Sequence, residues 1–306
     1  MKYLLRLSAL VISLFGSVLT ADELNYYPTE AYSTPCEVSD CNFLQCPNSE
    51  YLVSLRRNQG QSLANRSSYT TLDGYAFPKC IGTQFGTIWP FINLRGHYID
   101  RGERGAANVG VGCRIAPTCT DFVFGINTYY DYRNYRGANL NQWGVGLEML
   151  GCCWSFRLNG YWPLKESIKN SSCFFDGYSG NYFIKRTGYI TPLKGLDFEV
   201  EALVAKMCWG NIYLALGSYY YDGNKCNKSI VGGDCRLTAQ FCNYFSFDIN
   251  ATHDRHFKTR VMAQLMVTIP LCGQINNCCC CNPVFRPVYR QELIVLEKRN
   301  KWVWNF

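Results

Sequence analysis

Strict alternation of apolar and polar side chains is the dominant pattern of this chain, and it is clearest from Asn108 to Trp162. One side of this alternation consists of Ala107, Val109, Val111, Cys113, Ile115, Phe122, Phe124, Ile126, Thr128, Tyr130, Tyr132, Trp143, Val145, Leu147, Met149, Trp154, Phe156, Leu158 and Trp162. A period of two marks a β-strand with two different faces. Here one face carries glycine and charge, while the other has aromatic residues at its ends. That division is typical of a sheet between lipid and a polar lumen.

The same period marks twelve strand-like segments. They are Tyr69–Phe77, Trp89–Asp100, the four runs that start at Asn108, Asp121, Gln142 and Trp154, and then Tyr182–Ile190, Leu196–Val204, Ile212–Tyr221, Cys235–Phe241, Phe245–Ala251 and Val261–Ile269. The polar stretch Lys165–Gly180 between them is interpreted as a surface loop. An even number of antiparallel strands of ~9–11 residues is what a membrane barrel requires, because closure removes unpaired edges. The sequence therefore predicts an all-β fold, an antiparallel transmembrane β-barrel of about 12 strands over residues 67–271.

The two ends of the chain have a different character from the predicted barrel. Met1–Ala21 is interpreted as a signal peptide, because a basic start precedes an apolar run too short for a membrane anchor. Residues 22–66 form a polar, Cys-rich N-terminal arm, and residues 272–306 form a Cys-rich linker and a post-barrel segment. Export followed by membrane strands predicts the bacterial outer membrane as the location, with its lipid as a partner.

Eighteen cysteines in an exported chain point to disulfides, within the chain or with other Cys-rich envelope proteins. The candidates for such cross-links are Cys36, Cys41, Cys46, Cys272, Cys278, Cys279, Cys280 and Cys281. A zinc site is disfavoured at the first three, since no histidine lies near them. The formal charge of +7 is scattered along the chain rather than clustered, which argues against nucleic acid as a partner.

Charged residues of both signs recur on the face that is predicted to line the lumen. The candidate lumen network is Arg95, Arg114, Asp131, Arg133, Glu148, Arg157, Glu199, Arg236 and Asp248. Twelve strands enclose too little space for a wide aqueous pore, so we expect these charges to pair with one another. The alternative is that they are solvated in an open channel.

No catalytic motif emerges from the sequence, and neither a cofactor nor a metal is expected. The three histidines, His97, His253 and His256, are scattered, and the Gly-x-Ser-x-Gly signature of hydrolases is absent. His97 is a weak candidate for a site at the barrel rim, and a hydrogen-bonded histidine in the lumen is the preferred interpretation. The protein is therefore predicted not to be an enzyme.

Five motifs lie along the predicted strands: Trp89–His97 (WPFINLRGH), Ala106–Arg114 (AANVGVGCR), Phe124–Tyr132 (FGINTYYDY), Trp143–Glu148 (WGVGLE) and Leu158–Pro163 (LNGYWP). Together they resemble the inverse autotransporter β-domain, the translocator of intimin and invasin, and especially the short Cys-rich forms of chlamydia-like bacteria. The resemblance extends over roughly Gly60 to Arg299. It implies a twelve-stranded barrel, assembly by the barrel-assembly machinery, and a post-barrel segment that returns through the lumen. The residues of that segment are Leu293, Ile294, Val295, Leu296 and Glu297.

This chain departs from the family pattern in two ways. It stops shortly after the post-barrel segment, so no passenger domain is expected, and there is no room for a periplasmic sugar-binding module before the barrel. The expected function is that of an outer-membrane envelope or surface protein, whose loops are the candidates for contact with a host receptor. The alternatives are a small porin-like channel and a soluble secreted disulfide-rich β-protein.

Overall fold

The structure, a computed structural model, describes residues 50–100, 105–118, 120–135, 137–165, 168–207, 210–222, 229–241, 244–272 and 283–305. The predicted signal peptide and the cysteines at 36, 41, 46 and 278–281 lie outside these residues. The strands are β1 (Glu50–Gly60), β2 (Tyr69–Phe77), β3 (Ile81–Thr83), β4 (Gly86–Ile99), β5 (Ala106–Pro117), β6 (Val123–Tyr135), β7 (Ala138–Leu150), β8 (Trp154–Pro163), β9 (Ile168–Ser179), β10 (Tyr182–Pro192), β11 (Lys194–Met207), β12 (Gly210–Asp222), β13 (Ile230–Phe241), β14 (Phe245–Asp254), β15 (Arg260–Cys272) and β16 (Leu296–Asn305).

Twelve of these strands form a closed antiparallel barrel. Its order is β1, β2, β4 to β8 and β11 to β15, and the ring closes because β1 pairs with β15 on one side and with β2 on the other. The β2–β4 pairing bridges the short β3 hairpin, which attaches to β4 alone. The predicted all-β fold and the count of about twelve barrel strands are therefore confirmed.

The first barrel strand, β1, is a correction to the sequence prediction, which placed Glu50–Gly60 in the N-terminal arm. Its alternation is obscured because its outward row ends in Arg57 and Gln59, while Leu52 faces inward. The barrel therefore begins at Glu50 and not at residue 67.

The segment Tyr182–Ile190, predicted as a barrel strand, is a second correction. It lies in β10, the middle strand of a separate three-stranded sheet with β9 and β16. Lys165–Gly180, predicted as a loop, contains the whole of this hairpin's first strand, β9. The strand count came out right because the missed strand β1 replaces β10 in the ring.

The two faces of the barrel have the polarity that the alternation predicts. Outward residues such as Val109 and Leu147 are 51% and 50% exposed, whereas the inward Arg114 and Asn93 are both 0% exposed. An apolar exterior around a polar interior suits lipid outside and a lumen inside. The alternative of a soluble secreted β-protein is wrong, because the apolar faces of its sheets would pack on each other, whereas here the apolar face lies on the exterior of a closed barrel. No helix among the described residues has the length and apolar character needed to cross a membrane.

Candidate functional site in the barrel lumen

Residues 283–296, here named the lumenal segment, run through the barrel from one end to the other. At the first end Val284 packs against Trp89, Val123 and Leu150, close to the 118–122 and 151–153 turns. At the opposite end Leu293 packs against Tyr69, Ile99 and Ala106. The segment therefore spans the lumen before the chain continues into β16, outside the barrel sheet.

Glu292 of the lumenal segment lies between two arginines of the barrel wall. Its Oε1 accepts hydrogen bonds from Arg56 (2.5 Å) and Arg95 (2.6 Å). Asp73, on β2, contacts the same two arginines at 3.0 and 3.4 Å. All four side chains are buried, and the two positive and two negative charges balance. Buried charges require such pairing, because an unpaired one would carry the full cost of desolvation.

Arg290, two residues earlier, makes the second charged contact of the lumenal segment. Its two terminal nitrogens donate to both oxygens of Asp131 on β6, at 2.7 and 2.6 Å. Its guanidinium carbon lies 4.4 Å from the ring centre of Tyr129, within cation–π range. Gly144 makes room for it, since a Cβ there would come within 2.3 Å of Arg290 Nη2.

Arg286 joins the lumenal segment to a charge cluster on the opposite wall. It donates to Glu201 at 3.0 Å, and Glu201 also accepts from Arg157 and Arg236. The neighbouring Glu199 accepts from the same two wall arginines, at 2.7 and 2.6 Å. Three guanidinium groups and two carboxylates thus form one connected network.

The wall also binds the backbone of the lumenal segment. Arg114 donates to the carbonyls of Val284 and Arg286, and Arg133 donates to that of Ile294 at 2.8 Å. Asn108 donates to the carbonyl of Glu292 at 2.9 Å. Ahead of β16 this part of the chain is not a strand, so its buried carbonyls depend on wall side chains for hydrogen bonds. These contacts depend little on the segment's side chains.

The structure brings most of the predicted lumen residues into these contacts. Arg157, Glu199 and Arg236 share one network, Arg114 pairs with Glu148 at 2.9 Å, and Arg95 and Asp131 bind the lumenal segment. Asp248 forms no ion pair with the described residues and accepts from Gln264 at 2.7 Å.

The predicted threading residues are all buried. Leu293, Ile294, Val295 and Leu296 pack in apolar clusters at the far end of the barrel, in contact with the wall. Glu297 is 1% exposed, and among the described residues neither of its carboxylate oxygens has a hydrogen-bond partner.

Sequence reasoning missed four residues that matter most to the lumenal contacts: Arg56, Asp73, Arg286 and Arg290. Arg56 was hidden because β1 was not recognised as a strand. The two arginines of the lumenal segment lie four residues apart, and Glu292 follows closely. The sequence signal that could have identified the two arginines is this group of charged residues in a segment that was expected to enter a charged lumen.

His97 lies within the lumen, and both its ring nitrogens take part in structural hydrogen bonds. Nδ1 is 2.8 Å from the hydroxyl of Thr71, and Nε2 pairs with the amide oxygen of Asn108. This geometry supports the preferred interpretation of a hydrogen-bonded lumen histidine.

The candidate cross-linking cysteines are not placed by the structure. All but Cys272 lie outside the described residues, and Cys272 ends β15 with its side chain not described. Elsewhere Cys80 and Cys153 each take part in a disulfide bond, while Cys113 and Cys235 are free thiols. Cross-linking through the candidates stays a prediction.

Comparison with known families decides the affiliation of this barrel. The family described as "Inverse autotransporter, beta-domain" matches residues 56–258, which is about two thirds of the chain. The chain belongs to the inverse autotransporter β-domain family. The match covers most of the barrel strands, including β1 from Arg56 onward, and confirms the resemblance seen in the motifs.

Solved structures are similar to this inverse autotransporter domain at low sequence identity. One, described as "Unveiling the Mechanism Behind the in-meso Crystallization of Membrane Proteins", has a TM-score of 0.59 at 15% identity and covers 82% of this chain and 100% of its own. An outer membrane channel from Pseudomonas putida F1 has a TM-score of 0.40 at 13% identity, covering 76% and 100%. The β-domain of the Bordetella autotransporter BrkA has a TM-score of 0.36 at 12% identity, covering 73% and 100%. No curated protein matches the chain.

These findings establish an outer-membrane β-barrel of inverse autotransporter type, with membrane lipid around it. The family is one of membrane barrels and not a class of enzymes.

Proposed function

We propose that this barrel anchors the C-terminal part of its own chain at the outer surface of the outer membrane, and that the lumenal segment keeps the barrel closed. The observation that carries the proposal is the position of Glu292, held between Arg56 and Arg95 inside the lumen. A chain bound there by paired charges and backbone hydrogen bonds occupies the space that a wide open channel would need. A porin-like channel is therefore the weaker alternative.

The lengths of the connections give the orientation of the barrel. One end has the short connections 118–122, 151–153, 208–209 and 242–244 and the β3 hairpin over 78–85. The other end has the two-residue connection 136–137 and the longest connection of the barrel, 164–193, together with 61–68. In outer-membrane barrels the short turns are periplasmic and the long loops extracellular. On that basis Val284 lies toward the periplasm, and the lumenal segment delivers the chain to the outer surface.

The sheet formed by β9, β10 and β16 supports display at that surface. β16 pairs with β10 continuously from Leu296 opposite Pro192 to Asn305 opposite Phe183. This backbone pairing fixes the emerging chain to a hairpin that belongs to the long-loop end. The sheet is the part of the molecule that we propose to meet a host surface.

Labelling of intact cells tests the proposed topology. An epitope appended after Phe306 should be accessible to antibody on intact cells, whereas the same epitope inserted in the 151–153 turn should be accessible only after permeabilisation. The reverse pattern would contradict the orientation. For adhesion, cells that carry the protein should bind host cells better than cells whose β9–β10 hairpin is replaced by a short glycine turn. Equal binding would refute the adhesive role and leave the topology standing.

A further inference from the structure

The lumenal segment fills the barrel unevenly. Glu292 and Arg290 bind residues of β1, β4 and β6, whereas the β11–β15 side retains two cavities. The larger has a volume of about 150 Å³ and the smaller about 30 Å³. Inward residues of β11, β13, β14 and β15 line both, so the cavities follow one another along the same wall.

Tyr289 separates the two cavities, as the single described residue that lines both of them. On β11, β13, β14 and β15 the boundary between the cavities falls between consecutive inward residues. The pairs are Glu199 and Glu201, Arg236 and Thr238, Asp248 and Ser246, and Gln264 and Met266. The Tyr289 ring is fixed at this level, because the guanidinium carbons of Arg236 and Arg157 lie 3.8 and 4.9 Å from its centre. Cation–π contacts at such distances hold an aromatic ring in place.

A second barrier closes the larger cavity at the long-loop end. Residues 61–66, here named the outer lid, fold into the barrel mouth, and Ser62 and Leu63 line the cavity. Arg260 holds the lid by donating to the carbonyls of Ser62 (2.8 Å) and Leu63 (2.6 Å). The Leu63 side chain packs in an apolar cluster with Tyr219 and Tyr221.

The wall beside the cavities carries an excess of negative charge. Its carboxylates are Asp197, Glu199, Glu201, Asp234 and Asp248, and the arginines of the same network are Arg157, Arg236 and Arg286. Five carboxylates against three guanidinium groups leave two negative charges in excess when all are ionised. Among the described residues, none of the ion pairs includes Asp197, Asp234 or Asp248. A confined space with this charge favours cations over anions.

We propose that the β11–β15 side of the lumen is a passage for small monovalent cations, closed by two barriers in series, the outer lid and Tyr289. The proposal rests on the closed lumen proposed above, because the lumenal segment must stay in place while ions pass beside it. Opening one barrier leaves the other shut, so neither alone is sufficient for conduction.

The test is conductance of the full-length protein in planar bilayers under a potassium chloride gradient. A lid variant combines Leu63→Ala with Arg260→Ala, a constriction variant is Tyr289→Ala, and a combined variant carries all three changes. We expect current several-fold above the wild type from the combined variant alone, with a reversal potential displaced toward that of potassium. The matched control replaces Tyr289→Ala by Tyr289→Phe in the lid background; it keeps the ring and should stay closed.

The outcomes separate this proposal from the one before it. A wild-type protein that already conducts refutes the closed lumen. A combined variant that shows heat-modifiable gel mobility, and so is folded, but stays silent refutes the passage. Equal current from a single-barrier variant and the combined variant refutes the series arrangement, and an anion-selective current refutes the role of the carboxylates. As a further readout, Asp234→Asn in the combined variant should reduce the cation preference, and an unchanged preference would contradict the proposal.

Discussion

Glu292→Gln is expected to loosen the lumenal segment while leaving the barrel assembled. The change removes one of two carboxylates that face Arg56 and Arg95, so two guanidinium groups then share Asp73 alone. The amide keeps nearly the same volume, and the effect is therefore one of charge.

The size of the effect follows from burial. Removing one partner of a buried ion pair costs about 3–5 kcal/mol. The larger cavity touches both Arg56 and Glu292, so water can approach the pair and the lower end of the range applies. At about 1.4 kcal/mol per factor of ten, a loss of about 3 kcal/mol raises the population of the displaced segment about a hundredfold.

Single-channel recording measures this population as the fraction of time spent in large openings. Asp73→Asn is the matched control, because it removes a carboxylate from the same two arginines but from the wall. Glu292 then becomes their main partner, and the segment should be held no less firmly. The proposed role of Glu292 in holding the lumenal segment is refuted if Glu292→Gln opens no more often than the wild type, or if Asp73→Asn opens as often as Glu292→Gln.

Three further predictions concern the barrel and its cysteines. Gly110→Val should destabilise the barrel by about 1–3 kcal/mol through overpacking, because a Cβ there would come within 2.2 Å of the fully buried Tyr129 ring. The temperature at which heat-modifiable gel mobility is lost should therefore fall. Gly96→Ala should leave that temperature unchanged, because a Cβ at Gly96 meets open space. Leu147→Arg places a charge on the lipid face, which costs about 2–4 kcal/mol near the bilayer midplane, and should reduce the amount of protein in the outer membrane. Phe85→Arg, in the exposed turn after β3, should not reduce that amount. Equal amounts of the two variants in the membrane would contradict the outward position of Leu147. Finally, if the candidate cysteines cross-link envelope proteins, non-reducing gels should show high-mass species that reductant removes, and monomeric migration in both lanes would exclude cross-linking. The residues concerned are Cys36, Cys41, Cys46, Cys272, Cys278, Cys279, Cys280 and Cys281.

The alternation of side chains by itself determined the barrel, its two faces and the charged lumen. Leu147 faces lipid and Arg114 faces the lumen because the first side chain prefers hydrocarbon and the second prefers polar partners. Since neighbouring residues of a strand face opposite sides, this preference is visible in the sequence as a period of two. The family motifs lie within the same strands and carried the affiliation.

Only the tertiary structure decided which strand closes the ring and which charges meet. β1 lacks a clean period, and its membership depends on pairing with β15, some two hundred residues away in sequence. The β10 strand has apolar residues of its own but pairs with β16 outside the barrel. The partners of Glu292 and the separation of two cavities by Tyr289 depend on how strand register and barrel width place distant side chains at the same height. The local pattern of the sequence does not contain the position of a side chain along the barrel axis.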